Sequence, residues 1–185
     1  GHTDVRLVRA DGGPARAVAA TPYEERMPAW SRDGRRLYFA SNRSGSWQIW
    51  QTDLSRPGAP PRRVTRDGGL AAQEGTDGRA LYFVRPDTTG LWRRPLPTPG
   101  MTDAAPPDAA PGAAEAEQVV PDLAPLDYAN WHLAPDGLYY VRRRGRRADL
   151  VFHRFATGRR RVVARLGDLP RDAAPALAPS GRWGL

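Results

Sequence analysis

The sequence predicts an all-β fold: a β-propeller, partial or open, built from four-stranded antiparallel blades of about 44 residues. Three observations carry this. A short phrase recurs, as Trp30-Ser31-Arg32-Asp33-Gly34, Gly75-Thr76-Asp77-Gly78, Ala134-Pro135-Asp136-Gly137 and Ala178-Pro179-Ser180-Gly181. The first three copies are followed by Leu37-Tyr38-Phe39, Leu81-Tyr82-Phe83 and Leu138-Tyr139-Tyr140. The spacing is nearly fixed: Asp33 to Asp77 is 44 residues, Asp136 to Ser180 is 44, and only the middle step, Asp77 to Asp136, is longer at 59.

The unit 27–65 shows the elements in order. Met27–Ser31 is a short apolar run, and Asp33-Gly34 is a turn pair in which glycine tolerates positive φ. Leu37–Ala40 is aromatic and apolar, as strands are. Asn42–Ser46 is a polar turn, and Trp47–Thr52 alternates with period two. Pro57–Pro61 breaks the pattern before a fourth short strand, Arg62–Thr65, with Val64 inward. The second unit repeats the order through Leu70–Glu74, Leu81–Arg85, Leu91-Trp92 and Gln118–Val120. The third runs through Trp131–Leu133, Leu138–Arg142, Leu150–Phe155 and Arg161–Ala164. At the N-terminal side, Val5–Val8 and Ala15–Ala19 fit only the second half of a unit. The residues after 165 fit only the beginning of one.

These boundaries divide a single propeller segment, 1–185, into a partial blade 1–22 and blades 23–66, 67–121 and 122–165, followed by a partial blade 166–185. The second blade contains an insertion at 99–117. Its Pro, Ala, Asp and Gly content is that of a loop, and Pro106, Pro107, Pro111 and Gly112 argue against a helix there. Two arrangements are open: a piece of a longer propeller, or a small ring whose end halves complete one blade. The first is preferred, because the joined halves lack a clear second strand of the Leu-Tyr-Phe type.

The chain of 185 residues is long enough for a sizeable core. Its formal net charge is +8, and every basic residue other than histidine is arginine. Two arginine clusters stand out, Arg142–Arg144 with Arg146 and Arg147, and Arg159–Arg161. In a meander they fall at opposite ends of the strands and do not form one phosphate-tracking stripe. No direct nucleic-acid binding by this segment is therefore expected. With no cysteine there is neither disulfide nor thiolate chemistry. No apolar run reaches the 18 residues of a membrane span.

Catalytic signatures are sparse. His2, His132 and His153 have no metal-ligand spacing, and neither a metal nor a cofactor is expected. No G-x-S-x-G elbow occurs. Glu24 and Glu25 are adjacent, so on a strand they point to opposite faces. Asp33, Asp77 and Asp136 recur in one slot before glycine, which is turn chemistry. The tryptophans mostly fall at repeat slots and are expected between blades, with Trp47 the candidate for an exposed platform. One slot, three before the turn residue, reads Trp30, Glu74, Leu133 and Leu177. Glu74 is the odd member. First strands line a propeller channel, so Gln73 and Glu74 with Arg26, Tyr128 and Asn130 could form a polar mouth, unless Glu74 simply pairs with an arginine.

The run from Pro28 to Gly45, continued by Gln48-Ile49-Trp50 and Val64-Thr65, resembles the TolB-type, WD40-like propeller repeat. The likeness covers about three units. It departs where Gly75-Thr76 and Ala134-Pro135 replace the Trp-Ser-Pro pattern and Ser180 replaces aspartate. Ala71–Glu74, Gly90–Arg93 and Asp136–Tyr140 are similar to the C-terminal propeller of bacterial winged-helix transcriptional regulators of the CadC kind. That resemblance implies a non-catalytic sensory or interaction module in the periplasm. A cytoplasmic site, the propeller of a prolyl-oligopeptidase-like serine peptidase and a TolB-like periplasmic adaptor are the alternatives. A protein partner or small ligand is expected at the loops and channel mouth, with Tyr23, Glu24, Arg26, Gln73, Glu74, Tyr128, Asn130 and Trp131 as binding residues.

Overall fold

Three consecutive four-stranded antiparallel meanders, flanked by a two-stranded hairpin on each side, make up the computed structural model of the chain. It describes residues 2–18, 21–97 and 116–170, with the backbone of 176–177 and 183–184. The first hairpin joins β1 (Arg6–Leu7) and β2 (Arg16–Ala17). Blade one is β3 (Glu25–Trp30), β4 (Arg36–Ser41), β5 (Gln48–Asp53) and β6 (Arg62–Arg63). Blade two is β7 (Leu70–Glu74), β8 (Ala80–Val84), β9 (Leu91–Pro95) and β10 (Glu117–Val120). Blade three is β11 (Trp131–Ala134), β12 (Gly137–Arg144), β13 (Arg147–Arg154) and β14 (Arg160–Asp168). The last hairpin is β15 (Ala176–Leu177) with β16 (Trp183–Gly184). Helical structure among the described residues is limited to one 3-10 turn, Pro125–Asp127. Of the insertion at 99–117 only Ala116 and Glu117 lie within the described residues, and the fourth copy of the repeated phrase, Ala178–Gly181, lies outside them.

The Leu-Tyr-Phe phrase holds the blades together. It occupies the second strand of each blade, where side chains alternate between two faces. Leu37 and Phe39 point one way and pack with Val5 of the first hairpin. Tyr38 points the other way and joins Leu81 and Phe83 between blades one and two. Tyr82 continues the series, packing with Leu138 and Tyr140 between blades two and three. Both faces are thereby covered, so β4 and β8 read as continuous buried runs rather than alternating ones. Fully burying each such side chain contributes roughly 1.5–3 kcal/mol.

The turn aspartates act as their slot suggests. The carboxylate of Asp33 accepts from the amide of Arg35 at 3.0 Å, and that of Asp77 from the amide of Arg79 at 3.0 Å. The third copy differs. Gly137 already belongs to β12, and a β-carbon there would lie 2.2 Å from the carbonyl oxygen of His153. Its glycine serves close strand approach rather than turn conformation.

The innermost strands carry a paired irregularity. The register of β3 on β4 slips between Arg26 and Ala29, and that of β7 on β8 between Leu70 and Gln73. Each slip contains a non-glycine residue in the left-handed region, Met27 at φ 54° and Ala71 at φ 47°. Counted back from Leu37 and Leu81, they stand in the same slot. Each bulge costs about 1–2 kcal/mol of local strain and re-aims the residues beside it. In blade three, β11 pairs with β12 without a slip.

Two tryptophans differ from the sequence expectation. Trp30 is 56% exposed rather than packed between blades. Trp47 is half-buried, with the Arg26 guanidinium 5.5 Å above its ring. Trp30 ends β3, opposite Leu37 of β4.

Candidate interaction surface

One end of the sheets gathers the loops leading into β3, β7 and β11 together with the β4–β5, β8–β9 and β12–β13 turns. This follows from the meander: the start of a first strand and the turn after the second lie at the same end. Most of the candidate binding residues stand here, in two groups.

The first group surrounds the start of β3. Glu24 accepts from the hydroxyl of Thr3 at 2.9 Å and from Nη2 of Arg26 at 2.9 Å. Its amide donates to Oδ1 of Asn42 at 3.0 Å. The Thr3 hydrogen bond, then Arg26, hold the Glu24 carboxyl below the usual range. Tyr23, one residue earlier, is 45% exposed. Arg26, lying over Trp47, completes a polar and aromatic patch.

The second group joins blades two and three. Gln73, beside Glu74 toward the far end of β7, reaches across to donate through Nε2 to the carbonyl of Trp131 at 3.4 Å, and Nε1 of Trp131 donates to the carbonyl of Tyr128 at 2.9 Å. Asn130 donates through Nδ2 to Oδ1 of Asp127 at 2.7 Å, and Nε of Arg143 donates to the other carboxylate oxygen at 2.7 Å. Asp127 is fully buried and therefore needs both donors. Arg143 also donates to the carbonyl of Leu169 at 2.6 Å, tying this loop to the end of β14. Beside this knot is a groove of about 740 Å³, bordered by Leu126, Arg143, Arg146, Asp168 and Pro170. Leu126, which borders it, is exposed, as is Tyr128 two residues further along the loop.

Glu74 stands apart from both groups, at the far end of β7. Its Oε2 accepts from the Tyr38 hydroxyl at 2.9 Å, its Oε1 from the amide of Arg32 at 3.4 Å, and Arg36 approaches to 4.0 Å. Burial first, and the Glu74 charge next, push the Tyr38 phenol far above its ordinary range. This carboxylate clamps blade two onto blade one. Its partners belong to blade one; Arg26, Tyr128 and Asn130 are at the opposite end of the inner strands.

Sequence reading missed the two guanidinium corners at the first end. Nη2 of Arg43 meets Oε1 of Glu25 at 2.5 Å; Glu25 is fully buried and also accepts from Thr21 at 2.7 Å. The guanidinium lies 4.8 Å over Trp50 and 5.5 Å over Phe39. In blade two, Arg85 lies 4.7 Å over Trp92, and its carboxylate neighbour is Asp67 at 3.7 Å. Glu25 and Arg43 are 18 residues apart, and no local pattern links them. The available signal was the recurrence of tryptophan opposite the repeated aromatic, Trp50 across from Phe39 and Trp92 across from Phe83.

The arginine clusters lie at opposite ends of β13, as the meander requires, and several members have carboxylate neighbours. Arg142 pairs with Asp149 at 2.9 Å, Arg146 with Asp168 at 3.5 Å, and Arg160 with Asp122 at 3.0 Å. His132 is exposed, whereas His153 is buried beside Phe155, and burial lowers its pKa. Among the described residues no group of three or more His, Cys, Asp or Glu could hold a metal ion. No helix among them is long and apolar enough to cross a membrane.

Comparison with known proteins places the fold. No protein-family profile and no curated protein sequence matches the chain. Solved structures do. TolB from Acinetobacter baumannii superposes with a TM-score of 0.68 at 19% identity, over 96% of this chain and 41% of that one. A TolB-type protein of Agrobacterium tumefaciens gives 0.68 at 17% identity, over 98% and 64%. A puromycin-hydrolysing peptidase of Mycobacterium tuberculosis gives 0.55 at 20% identity, over 97% and 28%. The chain thus has a TolB-like β-propeller fold, and it spans less than two-thirds of the length of either TolB-type structure.

Proposed function

We propose that this chain is a non-catalytic interaction module, the sensory part of a bacterial transcriptional regulator, working in the periplasm and binding a protein partner or small ligand at the loop end described above. The observation that carries the reading is the character of that end. Tyr23, Leu126 and Tyr128 are exposed on loops whose backbones are fixed by Glu24, Asn130 and Trp131. Exposed aromatic groups on rigid loops suit recognition, because little side-chain freedom is lost on contact. The regulator assignment and the periplasmic location rest on the resemblance of the repeat to regulators of the CadC kind. In this reading Arg26 and Gln73 brace the loops, and Glu74 joins blades one and two at the other end of the strands.

Two measurements test it. In the parent gene, a winged helix and a single hydrophobic span upstream of residue 1 are expected; an α/β-hydrolase with a serine elbow downstream of residue 185 overturns the regulator assignment. In that full-length regulator, Tyr23→Ala with Tyr128→Ala is expected to abolish the signal-dependent transcriptional response with the melting temperature unchanged. A response that survives refutes the loop end as the binding surface.

The second reading, the propeller of a serine peptidase, is favoured by the likeness to the peptidase structure. The downstream sequence decides between the two.

A further inference from the structure

Blades one and two place the same cation on the same aromatic slot and differ in what neutralises it. In blade one, Arg43 sits on Trp50 and is closed by Glu25, with its Nε donating to the Ser41 hydroxyl at 3.2 Å. In blade two, Arg85 sits on Trp92, its Nε is buried without a hydrogen-bond partner, and its neighbour Asp67 is 78% exposed and 3.7 Å away. A carboxylate in water at that distance is screened by solvent and holds the guanidinium weakly.

The reason is a glycine. Counted back from the repeated leucine, Gly69 takes the slot of Glu25. A β-carbon at Gly69 would lie 2.7 Å from Cγ1 of Ile49 and 2.7 Å from Oγ1 of Thr65. Blade two therefore has no room for a buried carboxylate of its own, while it keeps the stacked guanidinium. Arg94 adds positive charge on the same face of the blade. It donates to the carbonyl of Val64, and burial, then the charge of Arg66, lowers its pKa.

From this we infer that the Arg85–Trp92 corner is a carboxylate-binding site and that its occupant is an acidic side chain of a partner protein. The inference rests on the interaction-module reading and names what one part of that surface recognises. The guanidinium, 4.7 Å over the Trp92 ring, presents a planar donor fork to which a carboxylate binds in two parallel hydrogen bonds. The side chain of Arg85 is 24% exposed, so the site opens at the surface. A shallow site of this kind suits a side chain presented by a segment with contacts on either side. Asp67 occupies the fork loosely in the free protein and yields to the incoming carboxylate.

The test is titration of the whole chain with a capped hexaglutamate peptide, followed calorimetrically at low salt. Arg85→Gln is expected to weaken binding about tenfold or more, and Arg79→Gln, an exposed cation at the other end of the sheet, by less than about twofold. Asp67→Asn is expected to tighten binding by removing the internal competitor. Absence of binding, equal losses from Arg85→Gln and Arg79→Gln, or weakening by Asp67→Asn overturns the site. Should Arg85→Gln fail to fold, Arg85→Lys and Asp67→Asn decide, the lysine variant binding more weakly for want of the fork. Acetate that displaces the peptide at equal concentration would leave the carboxylate site standing and refute the protein partner. Loss of the site with an intact Tyr23- and Tyr128-dependent response would sink this inference alone.

Discussion

At matching corners, blade one buries a complete ion pair and blade two leaves its cation half-served. Glu25 and Arg43 are almost fully removed from solvent, and their geometry is close. Arg85 and Asp67 are farther apart, with one partner in water. The aromatic platform is common to both, so stacking does not explain the difference. The residue twelve before the repeated leucine does: a glutamate held by the Thr21 hydroxyl in blade one, a glycine in blade two where Ile49 and Thr65 leave no room for a β-carbon. A repeat architecture reuses backbone slots, and single side chains then decide whether a slot is closed for stability or left open for contact.

The largest test of this contrast breaks the closed corner. Arg43→Met strands the Glu25 carboxylate in the interior and is expected to lower the unfolding free energy by about 3–5 kcal/mol in urea titration. Next comes the slot itself. Gly69→Ala drives a methyl group into Ile49 and Thr65 and is expected to cost about 1–3 kcal/mol. Gly34→Ala meets no atom within 4 Å and serves as a comparison in which only the positive φ matters. Arg85→Gln is expected to change stability by less than about 1 kcal/mol, because its carboxylate partner Asp67 is largely in water. A loss as large as that of Arg43→Met would erase the difference between the corners. The smallest effect concerns what the two blades share. Ala71→Gly relieves the left-handed strain at the inner bulge and is expected to raise stability by about 0.5 kcal/mol, the lost chain stiffness offsetting part of the gain. Thermal unfolding would show it as a small rise in Tm.

The sequence displayed the sheet order because every blade repeats its turn phrase and its buried second strand at one spacing. Glu74 was visible as an anomaly in its slot, but its partner was not. Tyr38 belongs to a phrase read as apolar, and its hydroxyl lies 36 residues away along the chain. The inner bulges were hidden for a different reason. Met27 and Ala71 carry no turn signature, and their conformation is imposed by pairing with β4 and β8. Trp30 shows the limit of slot reasoning: the slot that buries Leu133 in blade three leaves Trp30 exposed in blade one.

The sorting of Leu37, Tyr38 and Phe39 onto opposite faces has a consequence for altering the molecule by insertion. Lengthening β8 by one residue would reverse the parity of everything beyond it, sending residues meant for one neighbour to the other and spoiling two contacts at once. Lengthening it by two would preserve parity and disturb only the hairpin tip. Tolerance to length change in such a strand should therefore alternate between odd and even.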